Sequence, residues 1–235
     1  MLPESSMMNM SYTSYRGFLS KNSVVSVNDE RTQMVQRVGA KISSAVKRYM
    51  AQKKLSKRLS GYKWEFNMVE DKTVNAWCMP GGKVVVYTGL LPVSNDETGL
   101  AVVMGHEIAH AIARHGNERM SQQLIVALGG IGLAVAMQDK PQQTQDIFNL
   151  SYGATSALGI LKYSRVHESE ADKLGLVFMA MAGYNPEEAV GFWERMAKSG
   201  GGKMPEILST HPSDETRIKD IKAYLPKAKG FYTPG

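Results

Sequence analysis

The chain has 235 residues, 43% of them hydrophobic, enough to bury a full core as one domain. Lysine and arginine number 28 against 22 acidic residues, giving a net charge of +6 and a pI near 9.3; no dense basic run interleaved with aromatics occurs, so nucleic acid is not the expected partner. The single cysteine, Cys78, excludes an internal disulfide and, with no histidine near it in sequence, is expected to pack in a strand rather than act as a nucleophile.

In chain order, Tyr12, Tyr15, Phe18 and Leu19 stand at helical spacing and predict a short helix laid on the body of the domain. The amino terminus is polar from Leu2-Pro3-Glu4-Ser5 onward, with no basic region leading into an apolar one, and so does not read as a signal peptide. Asn28-Asp29 is a plausible N-cap for a long helix to about Lys54, whose apolar stripe is Met34, Val35, Val38, Ile42, Ala45, Val46 and Tyr49. After Gly61 the period changes. Tyr62, Trp64, Phe66 and Met68 alternate with Lys63, Glu65 and Asn67, predicting a half-buried strand. Thr73 to Met79 and Lys83 to Thr88 read as a hairpin joined at Pro80-Gly81-Gly82, and Ser94 or Asn95 is expected to cap the helix that follows.

That helix carries Gly105-His106-Glu107-Ile108-Ala109-His110. Residues four apart lie on one helical face, so His106 and His110 are placed to share one metal ion, with Glu107 beside them. This is the HExxH pattern of zinc hydrolases, in which two neutral imidazoles hold the ion and the glutamate takes a proton from water.

Further on, Leu124 to Met137 is apolar but too short to span a bilayer and predicts a packed helix. Asp139 to Gln143 reads as a polar loop, and Ile147 to Tyr163 as another helix. In the next helical stretch Glu168 and Asp172 are four apart on one face: one carboxylate can bind metal while the other hydrogen-bonds a ligating imidazole. His115 and His167 are expected to be non-ligands. Gly183 to Pro186 breaks that helix, a new one carries Val190, Phe192, Trp193 and Met196, Gly200 to Gly202 is a loop, and a last helix runs from Ser213 to about Leu225.

Taken together, the HEIAH string at 106 to 110, RxxExxAD at 165 to 172 and THPSDETR at 210 to 217 resemble the gluzincin peptidases that include the CAAX prenyl protease and the HtpX-type and BepA-type proteases. Asn75-Ala76-Trp77, Pro80-Gly81-Gly82 and Tyr87 to Leu91 are similar to the edge strand and hairpin of the soluble, OMA-type branch. The resemblance implies one Zn²⁺ held by His106, His110 and Glu168, Glu107 as general base and proton donor, and Asp172 orienting a ligating histidine. It further implies that His211 steadies the oxyanion with Arg217 near it, and that Asn75, Ala76 and Trp77 form an exposed edge strand pairing an extended, unfolded polypeptide.

The expected fold is α+β: a mostly helical, zincin-like single domain with a small antiparallel sheet or hairpin beside the HExxH helix. Residues 1 to 60 would pack as N-terminal helices on a metallopeptidase core spanning 61 to 235. The expected setting is the periplasm or cell envelope, in preference to the cytoplasm, with a targeting segment outside this chain and a peripheral or lipid-anchored membrane attachment in a longer form. The sequence carries no signal for oligomeric state. A rival function is a binding module whose activity is suppressed because His211 takes the open coordination position.

Overall fold

The computed structural model describes residues 1–127, 141–151, 164–199, 207–208, 211 and 215–234. Helix α1 (Glu4–Lys21) is followed by α2 (Glu30–Gln52), which Asp29 caps by accepting a hydrogen bond from the Arg31 amide. Three strands come next, β1 (Glu65–Val69), β2 (Ala76–Met79) and β3 (Lys83–Tyr87). The described helices after them are α3 (Leu91–Ser94), α4 (Glu97–Ala113), α5 (His115–Ala127), α6 (Pro141–Ser151), α7 (Arg165–Met181), α8 (Glu188–Lys198) and α9 (Glu215–Lys229).

The α+β class holds, and the sheet is mixed. Its order is β1-β3-β2: the predicted hairpin pairs β2 with β3 antiparallel, while β1 lies parallel to β3, with Glu65 opposite Lys83. Gly81 and Gly82 make the hairpin turn at φ of +83° and +82°, a conformation only glycine adopts cheaply. The expected half-burial of the first strand holds at its start, where Tyr62 and Trp64 are partly buried and Lys63 and Glu65 exposed, and the alternation is lost only at its end. Met68 and Val69 are both buried because helices cover both faces of the sheet.

One face carries Met68, Ala76, Cys78, Val84 and Val86, which join the main core with α2 and α4. The other carries Val69, Trp77, Met79, Val85 and Tyr87 against Met7, Tyr15 and Phe18 of α1. There Phe18 meets Trp77 edge-on at 5.0 Å, and Tyr15 approaches it at 6.3 Å. Cys78 is buried in β2 as expected, and burial pushes its thiol well above its usual pKa.

Two further boundaries differ from expectation. Asp96, not Ser94 or Asn95, caps α4: its Oδ1 accepts from the Gly99 amide at 2.9 Å, while Ser94 belongs to α3. The stretch read as a polar loop already begins α6, because proline suits a first helical position whose amide has no partner to lose. The apolar run from Leu124 and the helix expected up to Tyr163 lie largely outside the described residues, as does the loop Gly200 to Gly202. Among the described residues no helix is long and apolar enough to cross a membrane.

What positions the site is the crossing of α4 and α7. A Cβ on Gly175 would sit 2.9 Å from the His106 amide nitrogen, and one on Gly105 would sit 3.0 Å from the Gly175 carbonyl oxygen. With no side chain on either helix at that point, the two backbones touch, and carboxylates on α7 reach the imidazoles of α4.

Candidate metal centre

Helical spacing puts the HEIAH side chains where the sequence predicts. His106 and His110 project from one face of α4, their rings 4.7 Å apart and their Nε2 atoms 3.1 Å apart. From α7, whose first turn is capped by Ser164 Oγ accepting from the His167 amide, Glu168 brings Oε1 to 3.3 Å from His110 Nε2 and Oε2 to 3.5 Å from His106 Nε2. His211 arrives from the segment between α8 and α9; its Nδ1 lies 2.9 Å from Glu168 Oε1 and 3.2 Å from His106 Nε2. One donor atom from each of His106, His110, Glu168 and His211 falls within 4.8 Å of the others, and all four residues are buried.

This donor set fits a divalent ion. His106 Nδ1 is 2.9 Å from Asp172 Oδ1 and His110 Nδ1 is 3.0 Å from His115 Nδ1. If the imidazoles are neutral and protonated at Nδ1, their Nε2 lone pairs point at one another, and a cation between them would accept both. Burial lowers His110 well below its ordinary pKa and so keeps it neutral. Glu168 Oε2 is buried and accepts no hydrogen bond among the described residues, leaving a charged oxygen for the same cation. Its carboxyl stays ionised: burial would raise its pKa, but His211, His110 and His106 together hold it far below the carboxylate range.

The remaining predicted residues surround these donors. Glu107 is buried one step round the helix, its Oε1 3.6 Å from His211 Nε2. Burial pushes the Glu107 pKa up, against the pull of His211 and His106. His211 goes the other way: burial would lower it, but Glu168 and Glu107 outweigh that and raise it. Asp172 accepts from Arg217 Nε at 2.8 Å and Nη2 at 2.7 Å as well as facing His106; burial works against its ionisation, and Arg217 and His106 overcome it. Arg217 also approaches Glu168 Oε2 at 3.3 Å and stacks on Trp193, its guanidinium carbon 3.4 Å from the ring centre. Trp193 read in the sequence only as part of a helical stripe; periodicity buries such a residue but cannot say that its face will carry an arginine.

His115 and His167, expected to be non-ligands, lie outside the four-donor group and stack on each other at 4.4 Å. Asn75 leads into Ala76 and Trp77, the start of β2, an edge of the sheet, but the expectation of exposure needs correction for these side chains, which are 8%, 3% and 6% exposed. Just before it, the Val74 carbonyl accepts from the Ile207 amide at 3.4 Å, joining this edge to the segment that carries His211. A pocket of about 260 Å³ opens beside Glu168 and Arg217, with Leu176, Ile221 and Tyr224 in its wall.

Comparison with known proteins agrees with this geometry. The mitochondrial metalloendopeptidase OMA1 of Schizosaccharomyces pombe is 40% identical over 173 residues, covering 73% of this chain and 49% of that protein. Human metalloendopeptidase OMA1, also mitochondrial, is 32% identical over 177 residues, or 72% of this chain and 34% of its own length. The beta-barrel assembly-enhancing protease of Escherichia coli is 31% identical over 168 residues, covering 68% and 34%. The chain thus spans about half, or less, of the length of these relatives. The expected periplasmic or cell-envelope setting is corrected: relatives at 37–40% identity are named as mitochondrial, and the beta-barrel assembly-enhancing protease of Escherichia coli matches at 31%. The peptidase family M48 model matches residues 36–225, and with the HEIAH helix, the α7 carboxylates and these relatives in agreement, the chain belongs to peptidase family M48, in its OMA-like branch.

Proposed function

We propose that this chain is a zinc-dependent endopeptidase acting on extended, unfolded polypeptides, with one ion held by His106, His110 and Glu168. The observation that carries the reading is Glu107: a buried carboxylate beside four converging donors, its pKa raised by that burial. A raised pKa brings a carboxylate nearer the operating pH, where it can both take and give a proton. When bound, zinc supplies Lewis acidity that lowers the pKa of water and polarises a carbonyl. Glu107 then takes the proton of the attacking water and delivers it to the leaving amine. Asp172, fixed by Arg217, keeps His106 in the Nδ1-protonated form, so its Nε2 stays bare.

Substrate would pair through its backbone with the β2 edge at Asn75, Ala76 and Trp77, because their buried side chains offer little to read. Such recognition favours any extended chain over a folded one. The names of the mitochondrial relatives favour a mitochondrial setting, which fractionation of cells carrying the tagged protein tests.

A second reading concerns His211. Its Nδ1 stands among the donors rather than away from them, so it could act as a fourth ligand and keep the centre closed, instead of steadying an oxyanion. Cleavage of unfolded casein by the parent, Glu107→Gln and His211→Ala, at matched zinc content, tests both readings. Loss in the first variant supports the catalytic role, and unchanged cleavage there defeats it. A gain in the second supports closure, whereas a loss supports the oxyanion role.

A further inference from the structure

Helix α7 carries carboxylates at alternate positions, Glu168, Glu170 and Asp172. The first faces the donors and the third faces His106. Glu170 reads as a solvated side chain, and its carboxylate is indeed 55% exposed, yet its Oε2 lies 3.1 Å from Nε2 of the buried His115. His115 in turn places Nδ1 at 3.0 Å from His110 Nδ1.

This meeting is built by a break in the chain. On a continuous helix, residues five apart diverge by about 140° around the axis and do not touch. Arg114, at φ +66°, ends α4 in the left-handed conformation, and α5 begins at His115. A non-glycine residue there costs roughly 1–2 kcal/mol. The Arg114 side chain is anchored, its Nε 3.1 Å from Glu4 Oε2. The turn folds His115 back against His110, and His167 stacks on its outer face, with Nε2 3.3 Å from Glu118.

We propose that His115 is a positioning residue of the metal centre, which accepts the Nδ1 hydrogen of His110 and is itself held in the required tautomer by Glu170. The proton positions form one consistent chain. His110 with a bare Nε2 toward the ion carries its hydrogen on Nδ1 and donates it to His115 Nδ1; His115 then carries its own hydrogen on Nε2 and donates it to Glu170. The two histidine ligands are thus oriented from the same helix by different means. Asp172 holds His106 directly, and Glu170 holds His110 through an intervening imidazole. The proposal rests on the metal-centre reading above.

Orienting partners of metal ligands typically change affinity 10–100-fold. The test is the zinc affinity of the purified chain, by competition with a chelating indicator, together with the visible spectrum of the cobalt-loaded protein. His115→Ala is expected to weaken zinc by about 10–100-fold and alter the cobalt bands. His115→Asn, which keeps an acceptor near the Nδ1 position, should recover part of that loss, and Glu170→Ala should weaken zinc several-fold. A folded His115→Ala protein with parental affinity and spectrum overturns the proposal, as does an asparagine variant no tighter than the alanine one. Should His115→Ala not fold, the half-exposed Glu170→Ala decides, and unchanged affinity there overturns it. A parent that takes up no zinc removes the centre itself, a different failure from a parent that binds zinc and variants that bind it equally well.

Discussion

The two faces of the sheet are packed in opposite ways. On the α1 side, Trp77, Tyr87, Tyr15 and Phe18 meet ring to ring in one cluster with Met79, with few polar groups to satisfy. On the other side, behind α4, the molecule buries Glu107, Glu168, Asp172, Arg217, His106, His110 and His211 around the crossing of α4 and α7. Burying charge is unfavourable unless it is paired, and removing one partner leaves another stranded. The aromatic face therefore stabilises the sheet, and the charged face draws on that stability to hold groups that would otherwise seek water. Neither face would do the other's work.

Substitutions on each face should separate these roles. The largest effect is expected from Glu107→Gln, which removes the proposed general base: kcat/KM on an unfolded peptide should fall about 10²–10⁴-fold at unchanged zinc content. Next comes Trp77→Ala on the aromatic face, which should lower unfolding free energy by about 3–5 kcal/mol in denaturant titrations while the folded fraction binds zinc with parental affinity. Loss of affinity there would mean that the faces are not separable. At the helix crossing, Gly175→Ala should cost about 1–3 kcal/mol through overpacking, and because it pushes α7 away from α4 it should also lower zinc occupancy, read by metal analysis. The smallest effect is a pH dependence. Glu107 has a folded pKa raised above its unfolded value, so its favourable contribution is present at low pH, where it is protonated, and lost as pH rises through the folded value. Metal-free Glu107→Gln should therefore melt a few degrees above the metal-free parent at neutral pH, a gap that closes as pH falls below the unfolded carboxylate range; a gap that widens on acidification would contradict the burial account.

Much of the site was legible because helical spacing is local. His106, Glu107 and His110 are set by one turn of α4, and Glu168 and Asp172 by one turn of α7, so their faces follow from residue number. That the two faces meet depends on Gly105 and Gly175, and nothing in spacing pairs one glycine with another seventy positions away. The resemblance supplied that meeting, along with His211 and Arg217. His115 escaped for a different reason: its approach to His110 needs a left-handed residue at Arg114, where a helical reading continues without a break. The burial of β2 was hidden likewise, since four strand residues do not reveal that a helix from the start of the chain covers them.

The donors of the centre are strung far apart along the chain, with the histidine pair emerging from the ribosome well before Glu168 and His211. During synthesis the HEIAH helix is therefore made without its α7 carboxylate, and the four-donor group cannot assemble until α7 and His211 have followed.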